Sequence, residues 1–241
     1  MLDPTQVVET YWTGVVNDAP TTAGLIAITQ RLAKLPVNTA FFQKMARACP
    51  ELPLETKDGK RKLSPAQKYD RNTSNVENGE LYDVWPFRVV SLDRPKLLAE
   101  AKVAYAQRLN RLDNGWGYDA NVAALLGLTD EAARILSVKS RNSNSAYRWP
   151  ATWGPNFDWL PDQNHGGNLL NTANLMLLQS EGNSIRIFPA WPMKWDVSFK
   201  LHAPRNTTVE ATLKGGRISG LKVSPASRAK DIVWPAGFQQ K

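Results

Sequence analysis

The sequence predicts a mainly α protein that ends in a small antiparallel β module, and three observations carry that expectation. Apolar residues recur at spacings of three and four through most of residues 1–181. At Gly182 the recurrence shortens to every second residue. Helical stretches are joined by short connections such as GLTD at 127–130, the pattern of an αα-hairpin. The expected division is therefore a helical-hairpin portion over 1–181 and a β-strand module over 182–241.

The helical elements follow from the spacing in turn. A short pattern around Val7, Val8, Tyr11 and Trp12 predicts a first helical stretch within 5–19, broken by Asp18 to Pro20. Leu25, Ile28, Leu32 and Leu35 then mark an amphipathic helix over 23–35, with Thr21 or Thr22 as its cap. A second helix over 37–48 stops at Pro50. Residues 50–75 are polar, hold the Asp58-Gly59 turn signal and read mostly as loop. Pro86 limits 77–92 to a short or kinked helix. Leu98, Lys102, Tyr105 and Leu109 place the next helix over 96–109, and the hairpin 118–126 and 131–139 follows. A long loop spans 140–167, then a helix over 168–179.

The β module rests on alternation. Ile185 and Ile187, then Val197, Phe199 and Leu201, then Val209, Ala211 and Leu213 take every second position, and Gly215-Gly216 is a hairpin turn signal. Sixty residues are too few to bury a large sandwich core alone, so these strands are expected to pack on helices or complete a sheet.

Composition narrows the function classes. The formal net charge is +8, but the basic residues are scattered, and the densest run, KDGKRK at 57–62, reads as a solvated loop rather than a nucleic-acid surface. One cysteine, Cys49, excludes an intrachain disulfide and a cysteine-based zinc cluster, and two histidines make a histidine metal site improbable, so no cofactor is expected. No run of 18 apolar residues exists to span a membrane. The nine tryptophans stand out: an indole face either packs in a core or stacks on the C–H surface of a sugar.

Candidate chemistry gathers in the aromatic loop YRWPATWGPNFDWLPDQNHGG at 147–167. Asp162 precedes a helix start and suits a general base or a water-orienting group, or equally a helix cap. Asp158 has a similar claim between Phe157 and Trp159, and His165 is a base or a ligand donor. Glu77 and Glu80 share one face if helical, as acid candidates or as charge compensation of a helix dipole. Glycoside hydrolysis uses two carboxyl groups whose separation must match the sugar, so Glu77 with Asp162, from separate segments, pairs better than Glu77 with Glu80. Trp116, Trp149, Trp153, Trp159 and Asn164 complete the expected sugar site.

Four blocks carry a resemblance: ENGELYDVWPFRVV, RLNRLDNGWGYDANVAALLGLTDEAARIL, DQNHGGNLLNTANLMLLQS and IRIFPAWPMKW, in that order. With the strands that follow they cover roughly 77–223, and they resemble the C-terminal part of a six-hairpin, α/α-toroid glycosidase, closest to the α-L-fucosidases of glycoside hydrolase family 95. The resemblance implies an incomplete α/α toroid followed by a small β domain, and an inverting hydrolase acting on glycan side chains or oligosaccharides. Asp162 matches the family's water-activating acid by position, while Glu77 and Glu80 fall where the fucosidases carry histidines. It further implies a carbohydrate substrate, a missing N-terminal part as partner, and an extracellular or periplasmic location. The competing class is a non-catalytic glycan-binding or structural helical module of a larger protein.

Overall fold

The computed structural model describes residues 1–155 and 163–235. It divides into two compact units, 1–111 and 112–241. In the first, strands and helices alternate along the chain; in the second, three helices precede the strands. This corrects the expectation of a helical toroid followed by a separate β module: four sheets are interleaved with the helices, and no closed ring of helical hairpins forms among the described residues.

The first unit begins with irregular chain and a short strand where helix was expected. Val8, Gly14 and Asn17 all take positive φ, which no right-handed helix accommodates, and Val7 bridges to Tyr11. Strand β1 (Val16–Asp18) leads straight into helix α1 (Ala19–Leu32). Asp18 is the cap: its carboxylate accepts from the Thr21 amide at 2.7 Å, and Pro20 sits in the first turn, where its missing N–H costs nothing. The residues that read as a breaker are thus the start signal. Helix α2 (Thr39–Ala48) returns beside α1.

Residues 50–75 supply three strands. β2 (Leu54–Lys57) and β3 (Lys60–Leu63) form a hairpin whose turn, Asp58-Gly59, holds φ of 51° and 71°, the positive values of a type I′ connection. β4 (Ala66–Lys68) pairs antiparallel with β1. The charge of KDGKRK hides this hairpin because most of its side chains face solvent. Lys62 turns inward to Glu55 at 3.0 Å, and Arg61 meets Glu100 at 3.8 Å. Between 77 and 92 only one 3₁₀ turn forms, Gly79–Leu81, and helix α3 (Leu98–Gln107) closes the unit.

The second unit opens with the hairpin of α4 (Asp119–Leu125) and α5 (Thr129–Arg141), joined through Gly127 at φ 70°. Every side chain of α4 is buried, because α5 and α6 (Asn164–Leu177) pack on either side of it. α6 starts four residues earlier than its apolar spacing suggests, so Gly166 and Gly167 lie inside the helix and form no anion-binding turn.

The strands then build two three-stranded sheets. β5 (Leu178–Glu181) and β6 (Ser184–Ile187) pair antiparallel, and β10 (Ile232–Val233) joins β6 in parallel. β7 (Val197–Ala203), β8 (Thr207–Lys214) and β9 (Arg217–Ser224) form a meander, with Gly215-Gly216 as its turn. Ile185, Ile187, Val209 and Leu213 are fully buried in the shared core, and Trp191 and Trp234 pack against it. Arg228 ties the end of the chain to this core. It reaches Asp231 at 2.6 Å, the Pro204 carbonyl at 3.0 Å and the Asn183 carbonyl at 3.2 Å.

Candidate functional site

The second unit holds a cavity of about 460 Å³ lined by Asn114, Asn142, Ser143, Asn144, Ser145 and the Gly154-Pro155 pair. Three amides and two hydroxyls line it, and no ionisable side chain of the described residues does so. Its wall is a folded loop rather than a slack one. The Asn144 amide donates to the Pro150 carbonyl at 3.0 Å, and the Asn144 side-chain oxygen accepts from the Ala146 amide at 3.0 Å. Gly154 permits this: a Cβ there would stand 2.2 Å from the Pro150 carbonyl oxygen and 2.4 Å from the Asn144 nitrogen.

The same loop presents the two indoles of Trp149 and Trp153. One helical turn links them, with the Trp153 amide donating to the Trp149 carbonyl at 2.9 Å. Their rings meet edge to face at 4.3 Å, and the Arg148 guanidinium covers Trp149 at 4.9 Å. Trp149 is 46% exposed.

A buried polar network underlies the Gly-rich loop at 114–117. Lys139, from the last turn of α5, donates to the carbonyls of Gly115, at 3.3 Å, and Gly117. Burial draws its ammonium from 10.5 down to about 8, against the opposing pull of Asp119 and Asp113. The Trp116 carbonyl accepts from Asn168 at 2.7 Å. Asn168 accepts in turn from Asn121 at 3.1 Å, and Thr172 donates to Asn121 at 2.6 Å. Gly117 has no room for a side chain, since a Cβ would lie 2.5 Å from that of Leu112. Helices α4, α5 and α6 thus clamp the loop that carries Asn114 and Trp116.

His165 enters this network at the start of α6. Its Nε2 lies 3.1 Å from the Lys139 carbonyl, so the neutral ring carries its proton on Nε2 and leaves Nδ1 as a bare acceptor. That Nδ1 is buried and meets no donor among the described residues. Burial, and then the Lys139 charge, push the imidazole below its usual range.

The sequence-derived candidates are distributed as follows. Trp149 pairs with Trp153; His165 meets Lys139; Trp116 is held through Asn168; Asn164 opens α6. Asp158, Trp159 and Asp162 lie outside the described residues. Glu77 and Glu80 belong to the first unit. Glu77 accepts from the Tyr82 hydroxyl at 3.0 Å and the Glu9 amide at 3.2 Å, tying the N-terminal segment down. Glu80 is buried, and its charge, after burial itself and ahead of Asp18, holds the fully buried Asp83 carboxyl well above the usual carboxylate range. Lys139, Asn121, Asn168 and Thr172 were not among the candidates. A lysine ending a helix reads as dipole compensation, and the polar residues of α4 and α6 read as its solvent face.

No protein-family model matches the chain. No curated protein matches it. The resemblance to the family 95 fucosidases and to six-hairpin glycosidases therefore gains no support from relatives, and the interleaved α/β fold contradicts it. The inverting-hydrolase reading falls with it: the described residues form neither the toroid nor a cavity in which acids converge. No group of three or more His, Cys, Asp or Glu among the described residues is placed to hold a metal ion. No helix among them is long and apolar enough to cross a membrane.

Proposed function

We propose that the chain is a non-catalytic glycan-binding module, and that its binding site is the loop 142–155 together with Asn114. The observation that carries this reading is the pairing of the amide- and hydroxyl-lined cavity with the solvent-open Trp149 in one folded loop. A sugar presents both surfaces that such a loop complements. Its hydroxyls exchange hydrogen bonds with Asn and Ser side chains, which donate and accept alike, and its C–H face stacks on an indole. The described residues that line the cavity are neutral, which suits a neutral polyol.

The test is a glycan array, followed by calorimetry with the best neutral oligosaccharide and chromatography of the mixture after prolonged incubation. The expected result is binding without release of shorter products. Trp149→Ala and Asn144→Ala should each weaken it about tenfold, by removing a stacking face or a hydrogen-bonding amide. Absence of binding to any glycan sinks the proposal, and so does the appearance of hydrolysis products that depend on this chain.

A further inference from the structure

The hairpin of α1 and α2 carries Arg31, Lys34, Lys44 and Arg47, and no acidic residue occurs anywhere from 19 to 50. Its apolar residues are turned outward to an unusual degree. α2 buries none of its side chains, and Ile28, Leu35, Val37, Phe41 and Met45 are all exposed, Val37 by 62% and Phe41 by 58%. One exposed leucine is ordinary; five large apolar side chains on one basic hairpin mark a surface meant to be covered.

Beside the hairpin lies a cavity of about 490 Å³. Ile26, Ala46, Leu54, Val89 and Leu97 give it apolar walls; Arg94, Lys96, Glu51 and Arg61, which meets Glu100 at 3.8 Å, also line it. Arg94 reaches across to Gln30 of α1 at 3.4 Å, so a cation stands directly between the cavity and the hairpin. Leu97 holds a φ of 67°, a strained conformation for a leucine, and that fixes one wall of the cavity.

We propose that this face docks an acidic amphipathic helix of a partner protein, with one apolar side chain of that helix seated in the cavity. The two halves of the surface call for this chemistry together. Carboxylates on the partner meet the cations of α1 and α2, while its apolar stripe covers Phe41, Met45 and Val37. A second copy of the chain fits poorly, because a two-fold contact would set cation against cation. A flat anionic bilayer satisfies the charges but cannot fill a concave cavity, whereas a projecting anchor side chain can. The surface lies wholly on the first unit and stands whether or not the glycan reading does.

Cys49, the only cysteine of the chain, lines the cavity and reports on its occupancy. The probe is a synthetic helical peptide of about 18 residues, some 27 Å long, with leucines along one face and glutamates elsewhere. It is added to the full chain while alkylation of Cys49 by N-ethylmaleimide is followed, with fluorescence anisotropy of the labelled peptide in parallel. The peptide should slow Cys49 alkylation about tenfold and bind more weakly as salt is raised. The surface double variant Lys44→Glu, Arg47→Glu should weaken it about tenfold, and Ala46→Trp, which fills the cavity without changing charge, should do likewise. Lys214→Glu, at the end of β8 in the second unit, should change nothing. The proposal is overturned if Cys49 stays unprotected at all peptide concentrations, or if the charge reversal leaves binding intact. It is equally overturned if the hairpin binds phosphatidylcholine–phosphatidylserine vesicles in preference to the peptide, or if sedimentation shows a dimer that itself shields Cys49.

Discussion

Lys139 donates to the carbonyl of Gly115 at 3.3 Å from a position that is 1% exposed, so a buried ammonium holds the loop that carries Asn114 and Trp116. The cost of that arrangement is visible in its proton affinity, drawn from 10.5 to about 8 by burial. Between these two values the unfolded chain binds more protons than the folded one, so stability rises with pH across that window. The stabilisation is complete above 10.5 and is lost as pH falls towards 8, a change of roughly 3 kcal/mol. Denaturant unfolding of the wild type and of Lys139→Met between pH 8 and 10.5 measures it. The wild type should show the rise, and Lys139→Met should lack it while being less stable throughout, because two loop carbonyls lose their donor.

Asp83 poses the opposite case in the first unit. It is fully buried, neither carboxyl oxygen meets a donor among the described residues, and burial with Glu80 and Asp18 raises its proton affinity. The folded state therefore holds its proton more tightly than the unfolded state does. Its stabilising contribution is complete below the ordinary value of 3.8 and is lost as pH rises through the raised one. Asn mimics the protonated acid in shape and charge. Asp83→Asn should thus be more stable than the wild type at pH 7 and no more stable at pH 3.5, read as midpoint shifts in urea. A variant destabilised at both pH values would show that the charged form is the one the fold needs.

Why some of this was legible and some was not follows from where each signal resides. Helices α1, α4 and α5 and the turn at Gly215-Gly216 rest on local spacing, and local spacing is what a sequence displays. The hairpin β2–β3 was hidden because its lysines and arginines mostly face water, so the alternation that marks a half-buried strand is absent. Asp18 to Pro20 was read as a break because both a stop and a cap use Asp and Pro; only the Thr21 amide decides between them. Ring closure of a toroid depends on contacts between distant helices, and similar wording in four blocks says nothing about such contacts. The amide-lined cavity comes from Asn and Ser residues that read as ordinary loop polarity. Lys139 and the Asn121–Thr172 pair gain meaning only once α4, α5 and α6 are packed.

That pair gives a third prediction. The single hydroxyl proton of Thr172 lies between the Asn121 oxygen, at 2.6 Å from Oγ1, and the Asn168 carbonyl, at 2.8 Å, with both side chains of the Thr172–Asn121 pair buried. Thr172→Val keeps the shape and removes the hydroxyl, leaving the Asn121 oxygen without that donor. The expected loss is about 1–3 kcal/mol of unfolding free energy. Asn121→Leu together with Thr172→Val should recover part of it, since removing both partners leaves fewer buried polar groups unmet. A double-mutant cycle in urea reads the coupling, and additive losses would mean the two side chains do not act as a pair.

Gly154 connects stability to the proposed binding site most directly. Its missing side chain lets the 149–153 turn close against Asn144, with backbone atoms of Pro150 and Asn144 where a Cβ would stand. Those atoms belong to the main chain, so Gly154→Ala cannot be relieved by a rotamer change; the loop must open. Because the loop's residues are mostly exposed, the loss of global stability should be modest, about 1 kcal/mol or less. Glycan affinity should fall by more than that, since the shift moves Asn144 and Trp149 away from each other and the cavity depends on both flanks of the turn. Calorimetric titration and urea unfolding of the same variant separate the two effects. An affinity that falls only in proportion to the folded fraction would show that the shape of this turn does not set binding.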